Sequence, residues 1–235
     1  MVVLNSESSA SIDRENAKKE RKIVRRTRLR LPSGKDCMDL PKDGGNANLW
    51  DYPELVERRS ALLSQAPVYY DTDSKERLLY VAQGEIAHAD PSTCDALVSD
   101  RATTCQIVAL KSANLCTMMH IDAPKYESCI RKAIRLHKGE EVDVHILGGF
   151  QDQDALSQSI TDFLLKLLAD LAETQHLTLQ TACVSSLNGR NSPLGRGLAL
   201  DCRTGRVHLA SCCRFLGPAL SLRSSHVWTP RTKLY

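Results

Sequence analysis

What most constrains the fold of this chain is one long helical stripe set among short apolar runs. Leu156, Ile160, Phe163, Leu164, Leu167, Leu168 and Leu171 recur at helical spacing, so they share one side of a helix that must be buried against an apolar surface. Asp152 and Asp154 precede the stripe and suit a helix N-terminus. Around it, residues 78–82, 105–110, 116–120, 142–146 and 177–184 are apolar runs bounded by turn residues, the pattern of strands. Residues 105–110 and 116–120 flank 111–115 as an antiparallel hairpin, and 197–200 with 206–210 form a second around Arg203-Thr204-Gly205. Pro124 opens and Gly139 closes a shorter helix in which Tyr126, Ile130, Ala133, Ile134 and His137 repeat at helical spacing. Hairpins interspersed with helices predict a mixed α/β (α+β) domain, a sheet layered by helices.

Charge divides the chain. Residues 14–30 hold nine Lys and Arg against two Glu, which leaves the remainder net acidic although the whole chain is formally +3. This segment follows a Ser-rich start and precedes Pro32, Gly34, Pro41, Gly44 and Gly45, so residues 1–48 read as a disordered basic tail and folding is expected from residue 49. Arg25-Arg26-Thr27-Arg28-Leu29-Arg30 admits a nuclear-import or nucleic-acid reading. Without interleaved aromatic residues for base stacking, a solvated tail is the preferred reading and no nucleic-acid partner is expected. No apolar stretch is long enough to span a bilayer and no export signal is recognisable, so the expectation is an intracellular, cytoplasmic protein, with nuclear entry as the tail's alternative.

The nine cysteines are an odd number without paired metal-ligand spacing, which argues against a disulfide framework and a structural zinc site. No G-x-x-x-x-G-K or G-x-G-x-x-G occurs, so nucleotide cofactors have no support and none is expected. The remaining question is whether one thiol is reactive. A two-residue turn at Ser112-Ala113 places Cys105 directly opposite His120, with Cβ atoms about 4.5–5.5 Å apart, whereas a one-residue slip puts them on opposite faces. A thiol held against an imidazole yields a thiolate near neutral pH. Ser99, just before this hairpin, is a candidate to orient the ring, with Asp100 and Asp122 as rivals, and Thr103 and Thr104 bring hydroxyls and amides towards a developing oxyanion. His145 lies on a buried-looking strand beside Gly148-Gly149, either as a satisfied core histidine or as a wall of the site.

These residues resemble a known family, the protein N-terminal asparagine amidohydrolases. The likeness runs through Leu79-Tyr80-Val81, Ser99-Asp100-Arg101-Ala102-Thr103-Thr104-Cys105, His120-Ile121-Asp122 and Val142 to Phe150 with its Val-His-x-x-Gly-Gly-aromatic pattern, and on to residues 205–211. It implies a cysteine hydrolase that converts an N-terminal asparagine side-chain amide to aspartate with release of ammonia, feeding the arginine branch of the N-degron pathway. Through kinship with glutamine deamidases and deamidating toxins it further implies a layered α/β/β sandwich with a mostly antiparallel sheet. The same kinship implies a triad of Cys105 as nucleophile, His120 as general base and acid, and Ser99, six residues before the cysteine, as the orienting hydroxyl. The implied partner is a protein or peptide N-terminus bearing Asn, bound by a monomer, and its α-amine needs a carboxylate, for which Asp122 is the candidate.

The likeness fades after residue 213, and residues 214–235 read as a divergent tail, so the chain is identified as a C-terminally truncated or divergent member with an incomplete catalytic domain at 49–213. Missing strands would expose apolar surface and unpaired edges and put activity at risk. An inactive homologue that binds protein N-termini and a protein glutamine deamidase are the alternative readings.

Overall fold

The computed structural model describes residues 28–34, 37–39, 49–71, 73, 77–184, 195–212 and 227–228. The chain enters through two short strands, β1 (Arg28–Arg30) and β2 (Cys37–Asp39), then α1 (Pro53–Leu63) and β3 (Val68–Tyr70). Next come β4 (Leu78–Tyr80), β5 (Ile86–Ala89), β6 (Ala96–Ala102), β7 (Gln106–Lys111), β8 (Cys116–Ile121), α2 (Glu127–Arg135) and β9 (Glu141–Gly148). The series closes with α3 (Leu156–Ala172), β10 (His176–Cys183), β11 (Arg196–Asp201), β12 (Val207–Cys212) and β13 (Val227–Trp228).

Two mixed sheets result, one of order β13-β5-β8-β7-β9-β10-β1-β2 and one of order β3-β12-β11-β6-β4. The large sheet is antiparallel through β5, β8, β7 and β9 and turns parallel where β9 meets β10 across α3. Alternation along its strands separates two cores. Val108, Leu110, Met119, Ile121, Val144 and Ile146 meet α2 and α3 on one face. Ile107, Ala109, Met118 and Leu147 meet Leu97, Leu198 and Leu200 of the smaller sheet on the other. The helical stripe explains why one face is covered by α3: Ile160, Leu164, Leu165, Leu167, Leu168 and Leu171 are each at most 3% exposed, and burying each stabilises the fold by about 1.5–3 kcal/mol.

Helix α3 has no side-chain hydrogen bond from its own N-cap, because Ala155, whose methyl cannot accept one, sits there in the left-handed region at φ 53°. Asp152 supplies the cap instead, accepting the amides of Leu156 at 2.8 Å and Ser157 at 3.1 Å. Two sequence boundaries shift. Within the segment expected to be a disordered tail, Leu29, Leu31 and Met38 are fully buried in the helix-side core, and β1 adds parallel to β10. Apolar residues between the basic ones pay for this order, which a count of charge does not register. Beyond the expected end of the domain, β13 pairs with β5.

Candidate active site

The 105–120 hairpin forms, but its turn is four residues long, closed by Ser112 N donating to Leu115 O at 2.9 Å. His120 therefore pairs with Ile107 rather than Cys105. A shift of two residues keeps the face, so Cys105, just before β7, and His120 remain on the side that looks into the smaller sheet. They are 6% and 2% exposed.

Ser99 reaches His120 from the opposite sheet. On β6, Leu97 and Ser99 point inward while Val98 and Asp100 point outward, and Ser99 Oγ lies 2.9 Å from His120 Nδ1, fully buried. Of the three residues that competed to orient the ring, Ser99 makes the contact. Asp100 is turned away, accepting Tyr80 OH at 2.8 Å and the amide of Cys212 at 3.0 Å. A bulge follows: Ser99 pairs with Leu198 and Ala102 with Arg196, and Arg101 adopts φ 59° between them. The extra residue returns Ala102 to the inner face and carries the chain across to Cys105.

Glycine fixes the other wall. A Cβ on Gly148, at φ 138°, would fall 2.2 Å from Cys105 O, so only glycine lets the end of β9 lie against the Cys105 backbone. Ser157, at the first turn of α3, donates to Thr104 O at 3.2 Å and accepts from Phe150 N at 3.4 Å. The His120 backbone is clamped by the preceding loop, with Gly84 N donating to its carbonyl at 2.9 Å and its own amide donating to Glu85 O at 3.0 Å.

Electrostatics make this a neutral pair at rest. Burial brings His120 down to about 4, against the opposing pull of Asp122, Asp100 and Glu85. Burial and then the Asp122 charge push the Cys105 thiol up, while a hydrogen bond from the Thr104 side chain works the other way. Desolvation of both groups favours the thiol and the neutral imidazole over the expected thiolate and imidazolium. His120 Nε2 is buried and has no hydrogen-bond partner among the described residues, so it makes no bond to the Cys105 sulfur in this structure. An orphaned ring nitrogen of this kind costs about 1–3 kcal/mol, and being unprotonated it has a lone pair with which to take a proton.

Asp122 follows β8 and is partly exposed. Desolvation would raise its pKa, but hydrogen bonds from Tyr126 OH at 2.6 Å and Gln83 Nε2 at 3.2 Å, with the nearby Lys125 charge, hold it below the usual carboxylate range. Tyr126, Gln83, Glu85 and Ser157 were not singled out from sequence. Only Tyr126 carries a sequence signal, as the first residue of the helical repeat that runs to His137. His145 is not brought to this cluster: it pairs with Ala109, four residues along β7 from Cys105, or ~13 Å at strand rise. No group of three or more His, Cys, Asp or Glu side chains among the described residues is placed to hold a metal ion, and no helix among them is long and apolar enough to cross a membrane.

The family model described as protein N-terminal asparagine amidohydrolase matches residues 69–235. The chain belongs to this family. The match runs through residue 235, past the boundary at 213 that the texture of the sequence suggested. Among amidohydrolase relatives, the pig (Sus scrofa) protein N-terminal asparagine amidohydrolase is 33% identical over 215 residues, covering 83% of this chain and 67% of that protein. The mouse (Mus musculus) protein of the same name is 32% identical over 190 residues, covering 74% of this chain and 59% of its own length. The human (Homo sapiens) protein, also of that name, is 31% identical over 202 residues, covering 79% of this chain and 63% of its own length. The chain thus spans roughly three fifths to two thirds of the length of these amidohydrolases.

Proposed function

We propose that this chain hydrolyses the side-chain amide of an N-terminal asparagine in proteins or peptides, yielding aspartate and ammonia, on a site of the Cys-His deamidase type. The observation that carries the reading is the buried His120 ring, fixed at Nδ1 by Ser99 and with Nε2 left without a partner among the described residues, on the same sheet face as Cys105. For Nε2 to act as a base, Nδ1 must carry the proton and donate to Ser99 Oγ, which sets the tautomer.

Cys105 Sγ attacks the amide carbon as its proton passes to His120 Nε2. The oxyanion is met by the Thr104 hydroxyl and backbone amides around Cys105. The C–N bond then breaks, His120 returns its proton to the departing ammonia, and a thioester remains on Cys105. Water, activated by the same ring, attacks the thioester and releases aspartate. Asp122 receives the free α-ammonium of the substrate. Until that cation binds, the carboxylate opposes thiolate formation at Cys105, and its neutralisation releases the nucleophile. This links the chemistry to a free N-terminus, and the aspartate product would feed the arginine branch of the N-degron pathway.

The test is ammonia release, with the amide-to-acid mass change, on peptides beginning with Asn, Gln or acetylated Asn, with Cys105→Ala as control. Turnover of free N-terminal Asn alone, abolished by Cys105→Ala, supports the reading. Turnover of glutamine substrates instead identifies a glutamine deamidase. Binding of N-termini without turnover by folded protein identifies an inactive homologue.

A further inference from the structure

His145 belongs to the Val-His-x-x-Gly-Gly-aromatic motif, yet it sits at a different place in the fold from Cys105. It is 7% exposed and lines a cavity of about 500 Å³ between the large sheet, α1 and the β11–β12 turn. That volume suits a small organic ligand. Cys105, His120 and Ser99 do not line it.

The wall of this cavity is built by a backbone irregularity. Along β9 and β10, Leu179 pairs with Val144 and Thr181 with His145, so Gln180 is an extra residue in β10. Regular alternation would send Gln180 and Thr181 to opposite faces. The bulge delivers both to the cavity, and β-bulges commonly re-aim side chains in this way beside functional sites. Thr181 Oγ1 then lies 3.1 Å from His145 Nδ1, which leaves Nε2 as the ring nitrogen available to the cavity. Gln180 joins two charged residues: its amide donates to Asp143 Oδ1 at 2.6 Å, and its carbonyl accepts from Arg58 at 2.8 Å. Asp143 therefore acts through Gln180 as a buttress that aims the Arg58 guanidinium. Arg206, from the turn opposite, adds a second guanidinium to the lining.

We propose that this cavity is a second ligand site, which takes a small molecule bearing a carboxylate or phosphate group, held by Arg58, Arg206, His145 and Thr181. The donor set matches such an anion: residues bearing two fork-shaped guanidinium groups, an imidazole and a hydroxyl line one cavity, with one carboxylate already committed to a buttressing bond. A neutral sugar would leave both guanidinium charges without a counter-charge, and an amine would meet two positive charges.

The experiment is a titration of the full chain, followed by calorimetry and by NMR of the histidine ring nitrogens. Inorganic phosphate and acetate are the probes, with chloride at matched ionic strength as the control. Saturable binding of either anion, with a shift at the His145 ring that chloride does not produce, is the expected result, and the tighter anion identifies the headgroup. Arg58→Gln and Arg206→Gln, both exposed positions whose replacement leaves the core intact, should each weaken binding at least tenfold. Asp143→Asn should strengthen it, because it removes the repelling charge and keeps an acceptor for Gln180. Cys105→Ala should leave it unchanged, which separates this site from the deamidation reading. Absence of saturation by both anions, or equal affinity in Arg58→Gln, Arg206→Gln and the unmodified chain, overturns the proposal.

Discussion

Replacing Ser99 with alanine removes one oxygen atom and nothing else. That atom is the partner of His120 Nδ1 at 2.9 Å between two apolar sheets. With Nε2 already unpartnered among the described residues, the substitution leaves a ring that is 2% exposed without a hydrogen bond from them to either nitrogen. A buried polar group stripped of its partner costs about 1–3 kcal/mol. For a chain of this size 1 kcal/mol lowers Tm by roughly 2–4 °C, so Ser99→Ala should melt roughly 2–12 °C lower. The kinetic effect should be larger in kind: without its anchor the ring loses its tautomer and aim, and kcat for an N-terminal Asn peptide should fall on the order of 100-fold with KM little changed. A double-mutant cycle with His120→Gln isolates the bond, since the serine change should cost far less activity and stability once the imidazole is gone. Additive effects across that cycle, or a kcat within about twofold of the unmodified chain, would refute the assignment of Ser99 as the residue that positions His120.

Three further outcomes follow from the geometry. Gly148→Ala forces a Cβ to within 2.2 Å of Cys105 O at a backbone angle that only glycine accepts readily. It should destabilise by about 2–6 kcal/mol in urea unfolding, and a change under 1 kcal/mol contradicts the close approach. Asp122→Asn removes the charge that raises the Cys105 thiol, so the pH profile of Cys105 alkylation should move to lower pH while activity on free N-terminal Asn falls; an unmoved profile refutes the coupling. His120, His137 and His145 are buried and held down to about 4, so between the ordinary histidine value and pH 4 the unfolded chain binds more protons than the folded one. Their stabilising effect is complete above pH ~6.5 and is lost as the pH falls towards 4, at up to ~1.4 kcal/mol per pH unit for each; a Tm that is flat from pH 7 to 4.5 excludes it.

The helix over 156–171 was legible because seven apolar residues at one spacing leave no other periodic reading, and it forms as α3, Leu156–Ala172. The 105–120 hairpin was legible in its pairing but not in its turn. Ser112 and Ala113 look like a two-residue loop, but the Ser112 backbone amide closes on Leu115 O, and composition does not distinguish a two-residue from a four-residue closure. The error of two residues preserved the face, which is why Cys105 and His120 were still placed together. Ser99 had Asp100 and Asp122 as rivals on the residues alone and was named by the family resemblance; the β6 alternation turns Asp100 outward. His145, open between a satisfied core histidine and a wall of the site, lies away from the Cys105 cluster and bonds Thr181, because a motif reports neighbours in sequence and four residues along a strand are about 13 Å. The burial of Leu29, Leu31 and Met38 was hidden by the charges that surround them.

The bond between Ser99 and His120 also bears on how the two sheets meet. Apolar side chains such as Leu97, Leu198 and Met118 grip across the interface but tolerate small sliding, because dispersion has little directional preference. A hydroxyl seeking one ring nitrogen is directional, so it works as an alignment pin whose engagement depends on correct seating of the layers. The residue that aims the imidazole is therefore also a gauge of assembly, and a chain whose sheets are misaligned by a single strand step would be folded, apolar inside and chemically silent.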